Sequence, residues 1–165
     1  MTVEEAIQTK RAIRIFTDEP LPEPTIRAIL DAGRRAQSSK NTQPWQFVVV
    51  RDRETLGKLA ECGTYAGHLA GAAVGVAMVS PIPTGFDMGQ AAAYMQLAAW
   101  ELKVGSCIAT IYEPDKAKVL LGIPGDLHFN MAISFGYPAP DPDRSAAPRK
   151  GGRLLLDDIL HWERW

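Results

Sequence analysis

Three cations fall within five residues near the start of the chain: Lys10, Arg11 and Arg14. Held together on a folded surface they repel one another, so something must offset their charge. Water at an exposed turn does this. So does a phosphate-bearing ligand, because ammonium and guanidinium groups hold phosphate and carbonyl oxygens through charge-assisted hydrogen bonds. A second cluster is the run Ser38-Ser39-Lys40-Asn41-Thr42-Gln43-Pro44-Trp45. Capping and turn formation account for Ser38 and Asn41, but they do not call for so many short polar groups beside an indole. A planar heteroaromatic ligand would use them, its edge bonded by amides and backbone groups and its face walled by the aromatic ring. A third cluster, Arg149, Lys150 and Arg153 with Gly151 and Gly152, joins cations to glycines that allow close backbone approach to phosphate. A flexible basic loop explains that cluster equally well.

Competing chemistries lack their motifs. The chain has no GxGxxG after a strand and no GxxxxGK[ST]. It has no HExxH, no metal-spaced Cys/His set and no GxSxG elbow. No metal site is expected. His68, His128 and His161 are isolated in sequence and read as structural or surface residues, and the pair Asp157–Asp158 reads as a solvated face. Asp87 at the head of a helix reads as an N-cap or a partner for the helix dipole.

Composition sets the frame. At 165 residues, 46% hydrophobic and 22% charged, the chain can bury a core as one domain. A formal net charge of −1 argues against nucleic acid or an anionic membrane as the main partner. Cys62 and Cys107 sit among apolar or small residues and read as buried, reduced thiols. The opening MTVEEAIQTK is too polar for a secretory signal, and the apolar run Leu69–Pro83 is too short and too broken to span a bilayer. A cytoplasmic location follows as an expectation.

The elements that must position these clusters are marked by local signals. Thr2–Thr9 reads as a helix opened by a Thr2/Glu5 capping box. Pro22–Ala36 carries Ile26, Ile29, Leu30 and Gly33 on one face, with Glu23–Arg27 as a supporting pair. Trp45–Val50 reads as a strand, Arg53–Glu61 and Tyr65–Gly71 as helices, and the apolar run Ala73–Ser80 as a strand covered on both faces. Asp87–Val104 is the longest helix, its broad face of small residues suited to close approach by another element, with Gly105 as its stop. Ser106–Tyr112 and Phe129–Gly136 read as strands, and Asp115–Leu121 as a helix closed by Gly122. Tyr137–Gly152, with four prolines and two glycines, reads as a loop. The apolar and aromatic segment Arg153–Trp165 then has no obvious place in a small core, and an arm docked on another subunit is a natural solution. About four strands and six helices in three α-β-α layers make an α+β domain over residues 1–165.

In series, these pieces resemble the nitroreductase family of FMN enzymes. Lys10-Arg11-Ala12-Ile13-Arg14-Ile15-Phe16, with Pro20 beyond, is similar to the family's R-R-S-x-R-x-F opening. Ala36 to Val49 is similar to its A-P-S-x-x-N-x-Q-P-W-x-F-x-V motif, and Gly89-Gln90-Ala91 through Gly105-Ser106-Cys107 to its long helix followed by G-L-G-S-C. Gly136-Tyr137-Pro138 and the tail Arg153 to Arg164 complete the order.

The resemblance implies a three-layer fold with a mixed, mainly antiparallel sheet and a C-terminal arm (residues 137–165 with its loop) crossing to the partner subunit. It also implies a homodimer with FMN at the subunit interface. Lys10, Arg11, Ala12 and Arg14 would then bind the phosphate, ribityl chain and pyrimidine edge, with Ser38, Ser39 and Asn41 supplied from the other subunit. Gln90 and the strand residues Ser106, Cys107, Ile108 and Ala109 would line the flavin, and Arg153 would return to the phosphate.

The implied activity is transfer of two electrons from NAD(P)H through flavin N5 to a nitroaromatic, quinone or activated alkene, in two half-reactions. The flavin would carry the chemistry, and Arg14 or Lys10 would stabilise charge at N1 and C2=O. Dehalogenation, flavin fragmentation and non-catalytic flavin binding are the alternatives. Three departures stand out: Ala12 for the usual serine, Lys10 for arginine, and Leu154 for lysine, where Arg149 or Lys150 would have to compensate. The short stretch between Glu61 and Asp87 implies an open substrate pocket.

Overall fold

A computed structural model gives the fold, and the structure describes residues 1–140 and 152–165. Arg149, Lys150 and Gly151, with most of the expected proline-rich loop, lie outside the described residues. The first helix, α1 (Val3–Thr9), opens with the capping box in full. The Thr2 hydroxyl accepts from the Glu5 N–H at 3.1 Å, and the Glu5 carboxylate accepts from the Thr2 N–H at 2.8 Å. Helix α2 (Glu23–Arg34) buries Ile26, Ile29 and Gly33 on one face, and its Glu23–Arg27 pair closes at 2.8 Å.

Strand β1 (Gln46–Val50) leads into α3 (Arg53–Ala60), and β2 (Val74–Ser80) is buried at every position. The longest helix, α4 (Gly85–Glu101), is followed by β3 (Gly105–Thr110), α5 (Pro114–Leu121) and β4 (His128–Gly136). Left-handed Gly122 closes α5 at φ 65°.

The sheet order is β1-β2-β4-β3, so the last strand in sequence is inserted between earlier ones. All three pairings are antiparallel. The expected mixed character survives only as an isolated parallel bridge between Ala12 and Ser106. Alternation along β2 builds the three layers. Val74, Val76 and Met78 join α2 and α4 in one core, while Ala77 and Val79 join Leu59 of α3 and Ala117 of α5 in the other.

Two local expectations are corrected and a third is narrowed. Tyr65–Gly71 forms only a 3₁₀ turn at Gly67–Leu69, so the described residues hold five α-helices rather than six. Gly105 does not stop the long helix. Leu102 caps it, and Lys103 takes the left-handed turn at φ 63°. Of the two readings of Asp87, the dipole partner holds and the N-cap does not: it stands in the first turn, and Thr84 holds the N-cap position without a side-chain bond. No helix among the described residues is long and apolar enough to cross a membrane, and no group of described residues is arranged to hold a metal ion.

Candidate functional site

The basic segment is held against the edge of β3 by close packing. After α1 ends, Ile13 N–H donates to the Ser106 carbonyl at 2.9 Å, and Thr17 N–H to the Tyr137 carbonyl at 2.9 Å. Ile13 and Phe16 point inward over Gly105 and Gly136, which are cross-strand partners. A Cβ at Gly105 would stand 2.7 Å from the Ile13 side chain, and one at Gly136 would stand 2.9 Å from the Phe16 ring. Close approach, not helix termination, is therefore what glycine does at position 105. Replacement Gly105→Ala is expected to push the 10–16 segment off the sheet. The overpacking should cost about 1–3 kcal/mol in chemical denaturation, with a matching fall in affinity for whatever Lys10 and Arg14 bind.

That packing gathers the cations. Lys10 is half-buried, and burial pushes its ammonium below the ordinary value; nearby Cys107 opposes the shift and Arg153 adds to it. Burial pushes the Cys107 thiol up, opposed by Arg14 and Lys10. Lys10 thus lies near Cys107 and Arg153, and Arg14 near Cys107, although Arg153 lies 143 positions beyond Lys10 in the chain (153 − 10 = 143). Among the described residues, no ion pair involves Lys10, Arg14 or Arg153. A cluster of cations without paired carboxylates is the donor set an anionic phosphate requires. Arg11 differs, because its Nη1 donates to the Gln8 and Lys10 carbonyls at 2.8 and 3.0 Å and closes the end of α1. Ala12 is exposed and meets Ser106 through the backbone bridge.

On β3 the candidate residues divide. Ser106 is buried, and its hydroxyl accepts from Gln96 of α4 at 3.3 Å while its carbonyl accepts from Ile13, so its polar atoms are engaged inside the protein. Cys107 and Ala109 face the α3/α5 core side and are buried; Ile108 is 43% exposed on the opposite face. Ile108 is the one residue of this group whose side chain meets the surface.

The polar loop stands elsewhere. Lys40, Asn41 and Gln43 all adopt positive φ, at 53°, 55° and 47°. For non-glycine residues this costs on the order of 1–3 kcal/mol each, so other contacts must hold the loop. Ser38 Oγ accepts from Gln43 N–H at 2.9 Å, Asp87 accepts from Ser39 N–H at 3.3 Å, and Gln90 donates to the Gln37 carbonyl at 3.4 Å. Asp87 and Gln90 therefore position the Ser38–Asn41 loop from the first turns of α4. By contrast, Thr9, next to Lys10, is tied to the other end of α4, its hydroxyl accepting from Trp100 Nε1 at 3.0 Å. Gln90 and Trp100 are ten residues apart, roughly 15 Å along a helix axis. Within one protomer the two candidate half-sites stand at opposite ends of α4.

Of the two sequence readings of His68, structural or surface, the structural one holds, in a buried network near Arg14 that the sequence did not signal. His68 is 9% exposed, and its Nδ1 lies 2.8 Å from Ser134 Oγ, which in turn donates to the Cys107 carbonyl at 3.3 Å. Its Nε2 is the one buried side-chain nitrogen or oxygen among the described residues without a hydrogen-bond partner. Burial first, then Arg14, pushes its pKa below the ordinary histidine value, against a smaller opposing influence of the Ile108 backbone. As pH falls, the unfolded chain protonates at this position before the folded one. Stability is thus lost as pH drops below about 6.5 toward the depressed folded value. Denaturant midpoints measured between pH 7 and 5.5 should fall in the parent protein, with a shallower slope in His68→Gln. Equal slopes would remove this role. A solitary histidine in a Gly/Ala-rich stretch gives no signal of such a network.

A cavity of about 440 Å³ opens at the far end of the sheet, between the start of α4, the ends of β2 and β4, and α5. Its volume lies in the range of small-molecule sites.

Fold and site together define an α+β domain with a cationic anchor near one end of α4 and an open cavity at the other. The Nitroreductase family matches over residues 7–66 and 84–137, more than half of the chain. A protein of Archaeoglobus fulgidus with the provisional name NADH dehydrogenase/NAD(P)H nitroreductase is 32% identical over 171 residues, covering 96% of each chain. Among solved structures, an FMN-dependent nitroreductase from Clostridium difficile R20291 superposes with a TM-score of 0.86 at 25% identity, covering 99% of this chain and 100% of that one. A provisionally named nitroreductase of Desulfovibrio desulfuricans, solved in complex with FMN, gives 0.81 at 29% identity, covering 100% and 98%. The chain belongs to the nitroreductase family.

Proposed function

We propose that the protein is an FMN-dependent NAD(P)H oxidoreductase working as a homodimer, with each flavin held where two subunits meet. The observation that carries this reading is the pinning of the 10–16 segment to β3 through Ala12 and Ile13, which sets Lys10 and Arg14 at the edge of that strand with no carboxylate paired to them among the described residues. The opposite placement of the Ser38–Asn41 loop on α4 supports the interface, because a second copy is needed to bring such a loop to these cations. The related structure solved with FMN supports the identity of the cofactor.

Lys10, Arg14 and Arg153 would hold the phosphate and the polar edge of the flavin, Arg14 being suited by its fork to carbonyl and phosphate oxygens. Ile108 would offer the flavin an apolar surface on the face of β3 opposite Cys107. When bound, FMN supplies hydride acceptance at N5 from NAD(P)H and delivery of two electrons to a small organic acceptor. The cations of this chain favour the reduced form by offsetting the negative charge that accumulates near N1 and C2=O. Ile13 over Gly105 fixes where they stand.

An absorption spectrum before and after anaerobic addition of NADH or NADPH tests this. Purified protein, or protein loaded with FMN, should be yellow and should bleach, then recolour when an acceptor is added. Yellow protein that neither nicotinamide bleaches would sink the reductase reading.

A further inference from the structure

The lining of the 440 Å³ cavity is mixed, with Ser80, Thr84, His128 and Asn130 beside its apolar residues. Its floor is apolar and polarisable, made by Met78, Met88, Phe129 and Met131. Such thioether surfaces adapt to flat rings and favour sulfur–aromatic contacts. Its rim carries Lys118, whose ammonium donates to the Gly125 carbonyl at 3.0 Å and keeps two further N–H groups. Among the described residues, no aspartate or glutamate lines the cavity. The first turn of α4 borders it at Gly85, and Asp87 in that turn offsets the positive end of the helix, which leaves Lys118 to supply the positive charge.

The cavity adjoins the positions assigned to the flavin. Met131 is the cross-strand partner of Thr110, the residue after Ala109 on β3, and Gly89 of the lining precedes Gln90 on α4.

We propose that this cavity is the acceptor site and that it selects a small aromatic acceptor bearing a carboxylate, with the ring on the methionine floor and the negative group at Lys118. The proposal rests on the oxidoreductase reading above and names the substrate class for it. A charge-assisted hydrogen bond in a partly dry site contributes on the order of 1.5–3 kcal/mol, so discrimination of about tenfold or more is expected against a neutral acceptor of the same shape.

Calorimetric titration of oxidised, flavin-loaded dimer with 4-nitrobenzoate and with nitrobenzene reads this without turnover. The anion should bind about tenfold tighter. Lys118→Gln should erase that preference while leaving nitrobenzene affinity unchanged, and Lys118→Arg should restore it. Met88→Trp, which fills the floor, should weaken both ligands. Equal binding of the two ligands, or a preference that persists in Lys118→Gln, overturns the proposal. Failure of the reductase reading shows separately, as protein that holds no flavin or is not bleached by nicotinamide.

Discussion

Deletion of Arg153–Trp165 is expected to yield a monomer that retains no FMN. In one protomer this segment leaves Leu154, Leu155 and Leu156 about 70% exposed and Trp162 81% exposed, while Trp165 is fully exposed. Single exposed apolar residues are ordinary, but this many within one short segment mark a surface meant to be covered. The segment has little structure of its own beyond a 3₁₀ turn at Leu156–Asp158 and a His161–Trp165 ring stack. In the proposed dimer a second subunit would supply the missing cover, while Arg153 at the start of the segment lies near Lys10. On that reading, loss of the segment would remove both dimer contact and part of the anion site. Light scattering reports the first effect and flavin absorbance after desalting the second. Because a truncation can simply misfold, the pair Trp162→Ala and Trp165→Ala serves as a milder variant, expected to raise the dimer dissociation constant. A truncated protein that remains a fully flavinated dimer would refute the arm.

Arg14→Ala is expected to weaken FMN binding by roughly 10- to 100-fold, the equivalent of one charge-assisted contact of about 1.5–3 kcal/mol. Arg14 is exposed, carries no ion pair among the described residues and sits near Cys107 and His68, so its removal should leave the fold intact. Arg14→Lys should recover only part of the affinity, since it keeps the charge and loses the planar fork. Lys10→Ala should also weaken binding. Flavin fluorescence quenching measures each dissociation constant, and an unchanged value for Arg14→Ala would remove that residue from the site.

What could be read along the chain was local. The Thr2/Glu5 box, the Glu23–Arg27 pair and the Gly122 stop each join residues within a turn or so of one another, so residue type and spacing suffice to place them. Successive buried residues likewise announced β2 as a strand covered on both faces. The basic and polar clusters were legible as chemistry for the same reason.

What linked them was not local. Insertion of β4 between β2 and β3 makes Gly105 and Gly136 neighbours, which turns one glycine from an expected helix stop into the floor beneath Ile13. It also sets His68 on Ser134, 66 positions away, and gathers Met78, Met131 and Lys118 around one cavity. Asp87, readable along the chain only as a cap or a dipole partner, also supports a strained loop 48 positions earlier. Helical signals depend on neighbours three or four residues apart. A sheet edge, a close approach or a cavity wall depends on which distant segments the core brings together, and packing the hydrophobic faces decides that only when the whole chain has folded.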